Sequence, residues 1–152
     1  MNTLNLGIGH LNAGVAKITQ RAQKDESILV NDFSHQVIGA AVEVQRVLGT
    51  GLLESAYAAA LAIELHEREL GFEREAPIEA TYKGRPLGVA YRADFVVEGS
   101  VLLQLKAVEA VSEQHRAQLL SYLRVSGLKL GLLINFQIYP VVKGIHRVVN
   151  KL

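Results

Sequence analysis

The chain has 152 residues, which is enough for one domain with a sizeable core and too few for two ordinary domains. Hydrophobic residues make up 49% and charged residues 20%, a balance that excludes a disordered chain and is typical of a globular protein. Because the chain contains no cysteine, disulfide bonds, thiolate metal sites and cysteine nucleophiles are excluded. Any metal must therefore be held by carboxylate, imidazole, amide or backbone groups.

Positive charge is concentrated toward the C-terminal end of the chain. Residues 114–152 contain six basic residues and no acidic one, whereas residues 1–113 contain ten basic and 15 acidic residues. This split indicates a polyanionic partner such as nucleic acid, unless the two halves neutralise each other on packing. No stretch has the roughly 18–20 apolar residues that cross a bilayer, and no charged segment precedes an apolar one as in a secretory signal. A cytoplasmic protein without a membrane partner is expected.

The first 30 residues differ from the rest of the chain. Residues 1–15 are rich in Asn and Gly and follow neither helical nor strand periodicity, while residues 15–23 have the composition of a short helix. We therefore predict an N-terminal arm over residues 1–30, either mobile or docked on a neighbouring subunit. The docked alternative implies a homo-oligomer.

Two helices are predicted next. In the first, Asp32 or Ser34 can act as the N-cap, and apolar residues recur on one side until Gly49-Thr50-Gly51 ends the helix. The second helix covers about residues 52–70 and is rich in alanine, so that neighbouring elements can approach it closely.

Strand patterns dominate the rest of the chain, with one further helix among them. Short segments rich in β-branched residues are separated by turn residues, and Ser112 can cap the helix. The resulting order of helix, helix, three strands, helix and two strands predicts one α/β domain with a mixed sheet over residues 31–152. The predicted strands are residues 78–82, 89–97, 101–108, 130–136 and 138–149, and the helix is 112–125.

The hairpin formed by the second and third strands brings polar side chains together. If Glu98–Ser100 is a three-residue loop, with Gly99 in the left-handed conformation, Asp94 lies directly opposite Gln104. Lys106 follows two residues later and therefore points to the same side of the sheet. A loop one residue shorter or longer would place Asp94 and Gln104 on opposite faces.

A polar cluster within apolar strands is costly unless its members pair with each other or bind an ion. One interpretation is a structural ion pair between Asp94 and Lys106. The other is a site for a hard cation with a lysine beside it, which suits phosphodiester chemistry because both positive charges stabilise the reacting phosphate. The residues alone leave both interpretations open.

The predicted helix at residues 112–125 adds a polar stripe, because His115, Gln118 and Tyr122 recur at helical spacing. By itself this stripe is more typical of a solvated face than of a site. Glu54, in the first turn of the second helix, is likewise a common partner of the helix dipole.

Five short blocks follow one another in a fixed order. Together they resemble the GxxExxY protein family, a branch of the PD-(D/E)XK nuclease-like superfamily, over about residues 31–149. The resemblance implies a restriction-endonuclease-like core of αβββαβ type, with a mixed central sheet flanked by helices. It also implies cleavage of DNA or RNA with Mg²⁺ or Mn²⁺. The blocks are Gly51-Leu52-Leu53-Glu54-Ser55-Ala56-Tyr57, Tyr91-Arg92-Ala93-Asp94, Gln104-Leu105-Lys106-Ala107-Val108, Ala117-Gln118-Leu119-Leu120-Ser121-Tyr122-Leu123 and Gly131-Leu132-Leu133-Ile134-Asn135-Phe136.

The resemblance also assigns roles to individual residues. It implies that Glu54 and Asp94 bind the metal, that Lys106 is the catalytic lysine, and that Gln118 and Tyr122 are the helix pair found in some nuclease branches. Where the family usually has Glu-Leu-Lys, this chain has Gln104 in the first position. Gln104 is thus expected as a neutral metal ligand in the catalytic group, and the cation is expected to bind weakly.

Further departures from the family favour an alternative function. The family tends to have a histidine and a Gly-Pro-Gly sequence where this chain has Gln45 and Gly49-Thr50-Gly51. Loss of an acid and an imidazole together is typical of an eroded site. The alternative is therefore a catalytically lapsed nuclease-fold protein that acts as a self-assembling or nucleic-acid-binding module.

Overall fold

Helices open the chain and a sheet follows in the part that the computed structural model describes, residues 12–151, with side chains from residue 20 onward. No helix in this part is both long and apolar enough to cross a membrane. The elements are α1 (Asn12–Leu48), α2 (Glu54–Glu67), β1 (Phe72–Tyr82), β2 (Arg85–Val97), β3 (Val101–Lys106), α3 (Glu113–Ser126), β4 (Leu130–Asn135), a 3₁₀ helix (Val141–Gly144) and β5 (Ile145–Val149).

The five strands form one mixed sheet in the order β1-β2-β3-β4-β5. β3 and β4 are parallel, since the chain crosses over through α3 between them, and the other neighbours are antiparallel. α3 contacts β1, β4 and β5, whereas α2 contacts β3. The predicted αβββαβ core, a mixed sheet with flanking helices, is confirmed.

Helix α1 is longer than the sequence pattern predicts. Within the described residues it begins at Asn12, so neither Asp32 nor Ser34 is an N-cap. No Pro or Gly interrupts residues 15–38, and the segment is rich in good helix formers, which explains why the helix continues through the predicted boundary.

Contacts divide the chain into two units, residues 1–32 and residues 33–152. The described part of the first unit is helical, and the second unit contains the sheet together with α2 and α3. The predicted arm, residues 1–30, falls partly outside the described residues, and its role stays a prediction.

The β2–β3 turn has the geometry that the sequence predicts. Glu98 and Gly99 both have positive φ angles, of 51° and 59°, and the Ser100 amide donates to the Val97 carbonyl at 3.0 Å. Val97 pairs with Val101 across this turn. The three-residue loop and its register are therefore confirmed.

The core on the α3 side of the sheet is built from small and branched apolar residues. Leu102, Leu119, Leu123 and Leu133 are fully buried there. The close approach of α3 to β4 requires glycine at position 131, because a Cβ atom there would lie 3.0 Å from the Leu119 side chain. This packing holds the helix that carries Gln118 and Tyr122 against the sheet.

Candidate active site at the ends of strands β2 and β3

Asp94 lies where the regular β2–β3 ladder ends. The last regular pair is Phe95 with Leu103, and its register places Asp94 across from Gln104. Instead of a backbone carbonyl, the Asp94 carboxylate accepts the Leu105 amide proton, at 2.7 Å. This hydrogen bond fixes one carboxylate oxygen while the other remains available.

Gln104 carries an unusual buried acceptor. Its Oε1 atom is buried and has no hydrogen-bond partner, alone among buried side-chain polar atoms of the described residues. Leaving a buried acceptor unpaired costs about 1–3 kcal/mol, so such an atom calls for a physical explanation. An oxygen without a proton donor is suited to a cation.

Lys106 ends β3 in a firmly held position. Its carbonyl accepts the Phe136 amide at 2.9 Å, and Asn135 is its partner in β4. The Asn135 side chain is buried and forms two hydrogen bonds with the backbone of Val108, at 2.9 and 3.1 Å. The segment on both sides of the lysine is thereby fixed to β4.

Glu54 is the first residue of α2, and Tyr57 holds the loop before it. The Tyr57 hydroxyl donates to the Gly49 carbonyl at 2.7 Å and accepts the Leu52 amide at 3.3 Å. Its buried ring stacks on Phe136 with a centroid distance of 4.7 Å. The spacing between glutamate and tyrosine therefore anchors the loop and the helix start together, a structural role that sequence reasoning missed.

Electrostatic interactions bring Glu54, Asp94 and Lys106 together. Burial raises the pKa of Glu54, the negative charge of Asp94 raises it further, and Lys106 lowers it. Burial also raises the pKa of Asp94, while the Leu105 hydrogen bond and then Lys106 lower it. Charged groups from α2, β2 and β3 thus act on each other, as the four-residue cluster predicted from sequence requires.

Two of the three polar residues on the α3 stripe face this cluster. Burial raises the pKa of Tyr122, a hydrogen bond with Gln118 lowers it, and the Asp94 charge raises it. His115 does not join them, because its Nδ1 accepts the Ser112 amide at 3.2 Å in a capping box.

Tyr91 is a further member of the site that the sequence analysis did not single out. Its ring stacks on Tyr122 with a centroid distance of 3.5 Å, and its hydroxyl donates to the Tyr122 carbonyl at 2.8 Å. Burial raises the pKa of Tyr91 to about 12, so the phenol is neutral at pH 7. Its place in the block Tyr91-Arg92-Ala93-Asp94 was the available signal.

Gln45 is a structural residue in this chain. It is buried, its Nε2 donates to the carbonyls of Phe136 at 3.0 Å and Ile138 at 2.7 Å, and its Oε1 accepts the Val141 amide at 2.7 Å. These hydrogen bonds fix the segment after β4. The departure from histidine at this position is therefore accounted for by a structural role.

The oxygen donors present fit a hard divalent cation. Glu54 and Asp94 supply carboxylates and Gln104 supplies an amide oxygen, and Mg²⁺ commonly binds through one or two carboxylates together with waters and substrate phosphates. Among the described side chains, no three Asp, Glu, His or Cys residues come together as a metal-binding group. That result is expected if the third ligand is an amide.

An αβββαβ sheet with acidic groups and a lysine at the ends of adjacent strands defines a nuclease-like α/β protein. A family model for the PD-(D/E)XK nuclease superfamily matches residues 31–148, which is most of the chain. The chain therefore belongs to the PD-(D/E)XK nuclease superfamily. Comparisons with curated proteins and with solved structures returned no match.

Proposed function

We propose that this protein is a divalent-metal-dependent phosphodiesterase of the GxxExxY branch, acting on DNA or RNA. The observation that carries the proposal is the unpaired buried Oε1 of Gln104, on strands where the charges of Glu54, Asp94 and Lys106 interact. A purely structural ion pair between Asp94 and Lys106 would leave that acceptor unexplained.

Each side chain has a distinct role in this proposal. The carboxylates of Glu54 and Asp94 and the amide oxygen of Gln104 would hold Mg²⁺ or Mn²⁺. Such an ion, when bound, polarises the phosphate and promotes ionisation of water. The Lys106 ammonium stabilises the negative charge that develops on the phosphate during cleavage.

The helix pair contributes positioning. The Tyr122 phenol has a raised pKa, so it keeps its proton at neutral pH and can donate a hydrogen bond to a phosphate oxygen. Gln118 orients this phenol through the hydrogen bond between them. Stacking on Tyr91 restricts the ring further, which reduces the entropy lost on binding substrate.

The replacement Gln104→Glu tests the proposal directly. A third carboxylate should strengthen Mg²⁺ and Mn²⁺ binding and raise the cleavage rate by about tenfold or more, since charged ligands stabilise a bound dication far better than a neutral amide. Metal affinity is measured by calorimetry and cleavage on labelled DNA and RNA. Gln114→Glu, on the exposed first turn of α3, is the matched control and should change neither quantity.

The alternative, a catalytically lapsed nucleic-acid-binding module, is favoured by one observation, the lack of a third acidic ligand among the described residues. It predicts that the parent does not cleave, while Gln104→Glu restores cleavage. Absence of cleavage and of metal binding in both proteins would contradict the enzyme proposal.

A further inference from the structure

Strands β1 and β2 continue well beyond the rest of the sheet. β2 pairs with β3 only over Phe95–Val97, whereas its pairing with β1 extends to Arg85. From the turn at Lys83-Gly84 to residue 92 these two strands therefore form a two-stranded ribbon, residues 79–92. Every residue from 81 to 90 is exposed.

The ribbon is basic and carries an exposed aromatic ring. Between Glu79 and Asp94 the chain contains three basic residues and no acidic one. At the tip, Lys83 Nζ lies 5.4 Å from the centre of the Tyr82 ring, which is 61% exposed, and Arg85 is the cross-strand partner of Tyr82. Arg92 is the third basic residue and lies exposed at the other end.

The ribbon begins at the candidate active site. Arg92 is two residues from Asp94, and Arg85 is nine residues from it on the same strand. At about 3.3 Å per residue, these nine residues extend about 30 Å. This length corresponds to about nine base pairs of duplex at 3.4 Å each.

The pairing within the ribbon has two irregularities. The β1–β2 register shifts between Ile78 and Glu79 and again between Ala80 and Thr81. Such bulges increase the right-handed twist of a strand pair. The major groove of B-form DNA admits a two-stranded ribbon, whereas the major groove of double-stranded RNA is too narrow for side chains.

The other basic residues examined for such a role lie elsewhere. Lys129 and Lys151 flank the paired ends of β4 and β5, where Asn150 donates to the Lys129 carbonyl. That end of the sheet is opposite the end that carries Lys106 and Asn135. The positive charge of the C-terminal third is thus divided, and the ribbon offers basic groups on the strand that also carries Asp94.

We propose that the ribbon is a contact surface for duplex DNA, in which Lys83, Arg85 and Arg92 bind backbone phosphates. The inference rests on the proposed function for the identity of the partner, and it adds a surface outside the candidate metal site. Binding through the ribbon does not require metal, so it is measured in the presence of a chelator.

The test is the salt dependence of DNA binding. Each phosphate contact contributes about 0.9 to the slope of log affinity against log salt. The double variant Lys83→Gln, Arg85→Gln should therefore reduce this slope by about 2 and weaken binding about tenfold or more on a duplex of 25 base pairs. The control Arg124→Gln, Lys151→Gln removes the same charge from exposed positions and should leave the slope unchanged.

The outcomes separate this inference from the proposed function. A reduced slope in the ribbon variant alone supports the ribbon even if no cleavage is seen. An equal loss in both variants, or no DNA binding by the parent, overturns it. So does stronger dependence on the ribbon for single strands or double-stranded RNA than for duplex DNA. A change in particle mass for the ribbon variant would instead identify a surface for a second copy of this chain, and would also overturn it.

Discussion

Glu54 and Asp94 are acids that the fold holds in unfavourable surroundings. Burial is the main reason that both have raised pKa values, and the charge of Asp94 adds to the shift of Glu54. Between the ordinary and the raised pKa, the folded protein binds more protons than the unfolded chain. The free energy of unfolding therefore decreases as pH rises through this range. Ionisation at neutral pH costs stability that a bound cation would restore.

This sign leads to a prediction for the metal-free protein. Asp94→Asn and, to a smaller extent because its side chain is more exposed, Glu54→Gln should raise the midpoint of thermal unfolding at pH 7. At a pH below the ordinary pKa values of these acids the difference from the parent should vanish, because the acids are then neutral in both states. Calorimetry at the two pH values, with Glu67→Gln as an exposed control, measures the effect.

Addition of Mg²⁺ gives a second measurement on the same proteins. The parent should be stabilised at neutral pH, whereas Asp94→Asn should respond weakly, since a ligand that binds only the folded state raises stability by its occupancy. Lower stability of both acid variants at pH 7 would show that the carboxylates form stabilising contacts instead.

At the scale of elements, the loop before α2 and the first turn of that helix behave as one piece. Leu53, at the N-cap, has no side-chain hydrogen bond to the helix. The Tyr57 hydroxyl instead contacts the backbone on the other side of the loop, and the ring is stacked beneath. The position of Glu54 therefore depends on a residue one turn later.

Tyr57→Phe removes the hydroxyl while keeping the stacked ring. Loss of the hydrogen bonds to Gly49 and Leu52 should cost about 1 kcal/mol of unfolding free energy. Because the loop that positions Glu54 is then less restrained, metal affinity should fall several-fold. Tyr139→Phe, at a side chain that is 77% exposed, is the matched control. An unchanged metal affinity with reduced stability would limit Tyr57 to a folding role.

At the scale of the whole molecule, the division of contacts at residue 32 is relevant to assembly. If residues 1–30 dock on a neighbouring subunit, deleting them should lower the particle mass measured by light scattering, while circular dichroism should still show a folded domain. The full chain at the same concentration is the reference. An equal number of subunits per particle for both proteins would contradict a role of these residues in assembly.

Local signals in the sequence were sufficient for the αβββαβ order and for the β2–β3 register. Ser112 caps α3 and Gly99 takes a left-handed conformation in the turn, as their residue types predict. Side chains alternate along a strand, so a correct loop length was enough to place Asp94 opposite Gln104. These features depend on interactions between residues close in sequence or related by one turn.

Tertiary structure decided the features that depend on distant contacts. Gln45 binds backbone groups more than 90 residues away, a partnership that no local pattern contains. The unpaired Oε1 of Gln104 results from packing on all sides, and the extent of the β1–β2 ribbon results from where β3 ends. Amino-acid types determine which groups can meet a cation or a phosphate, but burial and long-range pairing determine which of them are left without a partner to do so.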